Sequence, residues 1–389
     1  MSTNGTIRLA TRGSDLAMRQ AATVKSALSD RRLDAELVAV ETEGDRVSDE
    51  LIHRLGKTGA FVRSLDEKVI EGEVDAAVHS MKDMPTEQPD DLILAGVPDR
   101  AAPGDVLVTP DGRRLEELPE GATVGTSSLR RGAQVRNARP DLTVEPLRGN
   151  VDTRLEKLLA PSLQREHEER TEEEKERKRN AGDDDYQFPY EQGVEEWFND
   201  LAEIERRALE RDVDTEYDAD EQSSSSRTTA SYDAIVLAEA GLERSGLAHH
   251  VEYQELPTDE FVPAPGQGAL AVTTLDGDVA EDLHTVLDHP RTRVETTVER
   301  TVLSELGGGC VAPIGVHAVL QGEYVHTAVQ VFDREGEESV TATRDLPAGD
   351  HARTAREFAR DLADRGADDL IAAARRESDE ETEAKRGEE

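Results

Sequence analysis

"TIRLATRGSDLAMRQAATVKSAL", residues 6–28, sets the architecture of this chain. "TIRLAT" reads as a buried strand and "RGSD" as a turn, after which Leu16, Gln20, Val24 and Leu28 fall at helical spacing. Ser14 or Asp15 supplies the N-cap. The same unit recurs downstream. "AELVAVET" predicts a second strand, "AFVRSLDEKVIEGE" a second helix and "DAAVHS" a third strand, followed by "DLILAGVP". The Pro- and Gly-containing "PDRAAPGD" (98–105) then reads as an interdomain hinge. A second series opens at "DVLVTP", continues through "ATVGTSSLRRGAQVRNARPDLTVEPLRGNVDTRLEKLL" and returns at "YDAIVLAEAGLERSGL". Alternating strands and helices imply parallel or mixed sheets with covering helices. Beyond a helix around 290–306 the pattern changes. "VHAVLQGEYVHTAVQVFD" and "ESVTATRDL" predict a small antiparallel sheet, closed by the helix "HARTAREFARDLADRGADDLIAAARRE" and an acidic tail.

At 389 residues the chain is long enough for two or three domains. It carries 85 acidic against 46 basic residues, a formal net charge of −39. Nucleic acid is therefore not an expected partner, because phosphate backbones are bound through basic stripes. Only eight residues are lysine, and arginine supplies the remaining positive charge. An acidic, lysine-poor surface suits a salt-loaded cytosol, where molar ionic strength confines self-repulsion to about 3 Å. A halophilic source is the expectation. One cysteine rules out an internal disulfide and points to the cytoplasm. "MSTNGTIRLATRGS" lacks an apolar signal core, and no run approaches the roughly 20 apolar residues of a membrane span. The expectation is a soluble, untargeted protein that does not engage membranes.

Residues 160–230 interrupt the second series with 23 acidic and 10 basic residues and a serine run. "REHEERTEEEKERKRN" predicts exposed helix or disorder. In "GVEEWFNDLAEIERRALE", Val194, Trp197, Phe198, Leu201 and Ile204 predict one helical face that docks a surface insertion.

Arginine and serine recur at the strand-to-helix turns: Arg12 and Ser14; Ser127, Ser128, Arg130 and Arg131; Arg148 and Arg154; and Arg244 in "GLERSGL". Free N–H groups at helix starts favour anions, and arginine adds bidentate bonds to carboxylate or phosphate. Any one of these arginines could serve a surface ion pair. Their repetition at equivalent turns points to a ligand with several negative charges. No Gly-x-Gly-x-x-Gly fingerprint or P-loop is present, which disfavours a nucleotide. In "VHSMKDMP" (78–85), Lys82 and Asp83 follow a strand end, where an acid beside a base can hold a charged intermediate or move protons. His79 alone reads as a satisfied, partly buried histidine. "ELGGGCVAPIG" (305–315) holds the single cysteine, Cys310, behind three glycines. These residues alone leave three readings open: a buried inert thiol, a nucleophile lacking a flanking histidine base, or part of a non-catalytic anion receptor.

The motifs "RLATRGSDLA", "GAFV", "DAAVHSMKDMP", "VGTSSLRRGAQ", "RPDLTVEPLRGNVDTRL", "YDAIVLAEAGLERSGL", "PAPGQGALAV" and "ERTVLSELGGGCVAPIG" together resemble the hydroxymethylbilane synthase (porphobilinogen deaminase) family. The likeness covers most of the chain apart from 160–230 and the tail. It implies an α/β fold: two type II periplasmic-binding-protein-like domains with a cleft between them, plus a small α+β domain. The implied limits are 1–99 with 266–287 for domain 1, 103–264 for domain 2, 290–376 for domain 3 and 377–389 for the acidic tail. Gln267 is expected in a hinge segment.

The resemblance further implies a transferase that condenses four porphobilinogen molecules, with loss of ammonia, into hydroxymethylbilane. In the family, the cysteine matching Cys310 carries a dipyrromethane cofactor through a thioether. A thiolate is the nucleophile such capture needs, and Gly307, Gly308 and Gly309 would leave room for a pyrrole. Asp83 matches the catalytic carboxylate. Lys82, Asp83, Ser128, Arg130, Arg131, Arg148 and Gly149 match cofactor-binding positions, while Arg12, Ser14, Arg148, Arg154 and Arg244 match substrate-binding positions. Arg54 and Lys57 fall in the lid loop, where Thr58 stands at a position usually lysine. Asp15 and Asp152 replace a frequent proline and glycine. No metal is implied, the small-molecule substrate is the only partner, and a monomer is expected.

Overall fold

The computed structural model describes residues 5–40, 60–180, 186–211, 231–309 and 312–388. Arg54 and Lys57, and Cys310 itself, lie outside the described residues.

The opening segment folds as its pattern dictates. β1 (Ile7–Arg12) is largely buried, and Ser14 caps α1 (Asp15–Asp30) by accepting the Ala17 N–H. The buried stripe of α1 is Ala21, Val24 and Leu28, one step round from the expected face, with Leu16 and Gln20 half-buried at its margin. β2 (Ala35–Val40), α2 (Ala60–Ile70), β3 (Ala76–Ser80) and β4 (Leu92–Gly96) follow. The second series comprises β5 (Asp105–Val108), β6 (Thr123–Gly125), α3 (Leu129–Ala138), β7 (Thr143–Glu145) and α4 (Val151–Arg179). It continues with α5 (Val194–Asp200), α6 (Glu203–Glu210), β8 (Ala234–Ala238), α7 (Glu239–Ser245) and β9 (Tyr253–Glu255). The chain then returns through β10 (Leu270–Leu275) and α8 (Asp278–Leu287).

Two five-stranded mixed sheets result, ordered β2-β1-β3-β10-β4 and β7-β6-β8-β5-β9. In each, four strands share one direction, and the remaining one, fourth in the order and antiparallel to both neighbours, is the strand that has just crossed from the other sheet. β5 enters after β4, and β10 enters after β9. The chain therefore crosses between the two sheets twice, and the crossings touch. Gly268, at φ +83°, receives the Ala101 N–H on its carbonyl at 3.3 Å, and a Cβ there would collide with the carbonyl oxygens of Ala101 and Ala102. Only glycine satisfies both the backbone angle and the approach.

The third unit packs α9 (Pro290–Glu305) and α10 (His351–Leu362) on the antiparallel sheet β11 (Ile314–Gln321), β12 (Tyr324–Phe332), β13 (Ser339–Pro347). Its core gathers Val298, Val302, Val316, Val329, Phe358 and Leu362, each worth about 1.5–3 kcal/mol when fully buried. α11 (Asp368–Glu388) extends past residue 376, so the segment expected as a free tail prolongs a helix, and Ser378 is buried.

α4 runs unbroken to Arg179, the helical alternative expected for its charged end. The insertion departs from its sequence reading in one way: the expected single helix at 194–210 is two, because Leu201 adopts extended backbone. Trp197, Leu201 and Ala208 still bury against Leu159, Ala160 and Leu163 of α4, while Ile204 joins the neighbouring domain core.

Candidate active site

The predicted residues stand at strand ends and helix starts, and Lys82, Asp83, Arg130, Arg131 and Arg154 lie within reach of one another's charges. Arg12 closes β1, half-buried, and Ser14 caps the next helix. After β3 a single 3-10 turn, Met81–Asp83, buries Met81, leaves Lys82 half-buried and exposes Asp83. Arg300 of α9 fixes this turn by donating to the carbonyls of Met81, Met84 and Pro85 at 3.4, 3.3 and 2.7 Å. Burial lowers the Arg300 pKa, so its charge is spent on these dipoles at a cost in hydration. The sequence offered no signal for this contact, which joins positions over 200 residues apart.

Across from this turn, Ser128 caps α3 with its hydroxyl accepting the Arg131 N–H at 3.5 Å. Arg130 and Arg131 are buried, at 5% and 6% exposure, and have internal partners that sequence reasoning did not anticipate. Both pair with Asp105, the first residue of β5, through contacts of 2.8 Å and 2.7 Å. Arg130 also donates to Gln134 and to the Val262 carbonyl, and Arg131 to Val236 and Gln267. Gln267 in turn donates to Asp105 and to the carbonyls of Pro103 and Gly104. Burial alone would raise the Asp105 pKa, but the two guanidiniums outweigh it and hold the carboxyl well below its usual range. One carboxylate against two guanidiniums leaves a net positive charge. Arg130 Nε remains buried without a hydrogen-bond partner. The only sequence trace of Asp105 is an acidic residue heading an otherwise apolar strand, "DVLV".

These charges share one field. Lys82, although it keeps some solvent contact, is surrounded by protein on most sides; this desolvation pulls its pKa from 10.5 to about 8. Asp83 and Asp105 oppose the shift, whereas Arg131 and Arg130 add to it. Arg154, at the start of α4, donates to the Gly149 carbonyl at 2.8 Å; burial and Arg131 lower its pKa to about 10. Gly149 takes φ +109°, and the half-buried Arg148 precedes it. Arg244 of α7 is lowered by burial and donates to the Gly268 carbonyl at 2.8 Å, which ties it to the crossing segment.

His79 lies elsewhere. Its Nε2 contacts Asp66 at 2.9 Å and Thr273 at 3.1 Å inside the first domain, a satisfied core histidine as its position suggested. On the third unit, α9 ends in Gly307 at φ +63° and a tightly packed Gly308, whereas Gly309 faces open space. That space, together with two guanidiniums buried against the one carboxylate of Asp105, fits a bulky polyanionic group.

Two family models match this chain. The porphobilinogen deaminase dipyromethane cofactor binding domain covers residues 7–165 and 221–282, and the porphobilinogen deaminase C-terminal domain covers 294–365. The unmatched 166–220 falls within the expected insertion. A probable porphobilinogen deaminase from Halobacterium salinarum is 56% identical over 406 residues, spanning 96% of this chain and 99% of that protein. Another from Archaeoglobus fulgidus is 38% identical over 325 residues, spanning 84% and 87%. A periplasmic substrate-binding protein of an ABC transporter from Coxiella burnetii aligns over 74% of this chain and 94% of its own, at TM-score 0.34 and 11% identity, too slight a likeness to carry weight. Among the described residues no helix is long and apolar enough to cross a membrane. With both domain models matched in order and a relative identical at more than half of the aligned positions, the chain belongs to the porphobilinogen deaminase family.

Proposed function

We propose that Asp83 is the catalytic carboxylate of this family member and that Cys310 anchors its dipyrromethane group. The chain is a transferase of tetrapyrrole biosynthesis, forming hydroxymethylbilane from four porphobilinogen molecules with loss of ammonia. When bound, the dipyrromethane would supply the free pyrrole carbon to which the first ring is added.

The observation that carries the assignment is the exposed Asp83 among desolvated cations, with Lys82 lowered to about 8 and Arg154 to about 10. Cations held out of water cost free energy that an incoming carboxylate offsets. Lys82, Ser128, Arg130, Arg131, Arg148 and Gly149 are the residues we assign to the cofactor's acetates and propionates. Arg12, Ser14, Arg148, Arg154 and Arg244 are assigned to the growing polyanion. Asp83 would accept a pyrrole N–H, stabilise the cation formed as ammonia departs, and take up the proton lost in each condensation. Arg54 and Lys57 are assigned to a covering loop. The three units are read as 1–99 with 266–287, 103–264 and 290–376, acting as a cytoplasmic monomer.

Intact mass and turnover test this together. The purified protein is expected to exceed its sequence mass by a dipyrrole, and Cys310→Ala to lose that increment. Asp83→Asn is expected to keep the added mass while turnover falls at least about 100-fold. An undiminished rate in Asp83→Asn would remove Asp83 from the chemistry.

A further inference from the structure

The insertion does more than lie on the surface. Its helix α6 packs along α4, and its ionic contacts fall on the first two turns of α4, the end that carries Arg154 and follows Arg148–Gly149. Arg207 of α6 donates to Asp152 at 3.1 Å and to Glu156, and Arg211 donates to Glu156 at 2.8 Å. Glu156 is buried, at 7% exposure, and both of these cationic partners come from the insertion. Below them, Gln164 of α4 donates to the carbonyls of Leu209 and Arg211 at 3.3 and 2.6 Å, closing the far end of α6 onto α4. Apolar docking by Trp197, Leu201 and Ala208 onto Leu159, Ala160 and Leu163 would suffice to hold the insertion on the surface. The ionic contacts lie instead at Asp152 and Glu156, flanking Arg154 in sequence by two residues on either side. Arg154 feels the charge of Arg131 and anchors to the Gly149 carbonyl, so a shift in the start of α4 would move Arg154 relative to both.

We propose that the described helices of the insertion, α5 and α6, form a brace. Arg207 acts as a positioning residue that locks the start of α4, and through it fixes Arg154 and the Arg148–Gly149 turn against the growing chain of carboxylates. This rests on the reading that Arg148 and Arg154 bind those carboxylates. The effect therefore belongs to substrate binding, because Arg207 acts on groups that grip porphobilinogen and not on Asp83.

The test is steady-state kinetics with porphobilinogen on the full chain, with intact mass confirming the bound dipyrrole in every variant. Arg207→Ala is expected to raise KM about fivefold with kcat within about twofold of the parent, and Arg207→Lys to restore most of the loss. Arg207→Gln, which keeps most of the side-chain length, replaces the alanine variant if that one folds poorly. Arg154→Leu serves as the reference and is expected to raise KM further. A parental KM in Arg207→Ala beside a raised KM in Arg154→Leu would overturn the brace. So would an effect confined to kcat or to melting temperature. A parental KM in Arg154→Leu would instead remove the carboxylate reading on which the brace stands.

Discussion

The charge of Lys82 is set by its surroundings. Burial, opposed by Asp83 and Asp105 and aided by Arg131 and Arg130, brings its pKa from 10.5 to about 8. Below pH 8 the ammonium is present in both the folded and unfolded chain, so its burial penalty is carried in full. Between about 8 and 10.5 the unfolded chain holds more protons, so the unliganded fold gains stability as pH rises. Binding moves the other way, because a carboxylate on Lys82 favours the charged form. We expect kcat/KM for porphobilinogen to decline above about pH 8, and the decline to move to higher pH in Lys82→Arg, whose guanidinium stays protonated. An identical alkaline limb in both proteins would assign the titration to another group. The positions of Lys82 and Asp83 at a strand end were legible in "VHSMKDMP", since the strand and the proline stop are local signals. The depressed pKa was not, because it arises from burial in the folded protein and, after that, from Arg131 and Arg130 on a distant helix.

At the scale of elements, the two crossings are the narrowest point of the design. Gly268 sits against Ala101 and Ala102 with positive φ, and Gly266 donates its N–H to the fully buried Glu299 at 2.7 Å. Glu299 also receives both terminal nitrogens of Arg100, at 2.8 and 3.0 Å, so α9 clasps one crossing to the other. Gly268→Ala is expected to destabilise the protein by about 2 kcal/mol or more, through left-handed backbone strain and the collision with two carbonyls. Denaturant unfolding at fixed KCl measures this, and a loss below about 0.5 kcal/mol would show that the crossing relaxes freely. "PDRAAPGD" marked the first crossing by its prolines and glycine, whereas the second, at "PAPGQGA", was expected only through the family resemblance. Their mutual contact could not be read, because neither segment has a periodicity that names its neighbour.

For the whole molecule, the net charge of −39 dominates. In dilute salt of about 0.01 M the acidic side chains repel over about 30 Å, whereas at about 1 M the range shrinks to about 3 Å. Exposed pairs such as Lys175–Glu172 weaken with salt too, but each contributes little beside the uncompensated charge. The melting temperature is therefore expected to rise between dilute and molar KCl, and a flat response in thermal unfolding would refute a salt-adapted surface. The sequence by itself determined the order of strand, turn and helix, the placing of arginines and serines at helix starts, the site of the insertion and the solitary thiol. Each of these is written in neighbouring residues, as spacing, caps and composition. Tertiary structure alone decided that β5 and β10 are exchanged between sheets, that Asp105 joins Arg130 to Arg131, that Arg300 grips the Asp83 turn and that Arg207 reaches Glu156. Those partners lie from 25 to over 200 residues apart, and a charged side chain carries no local record of which opposite charge the folded backbone brings to it.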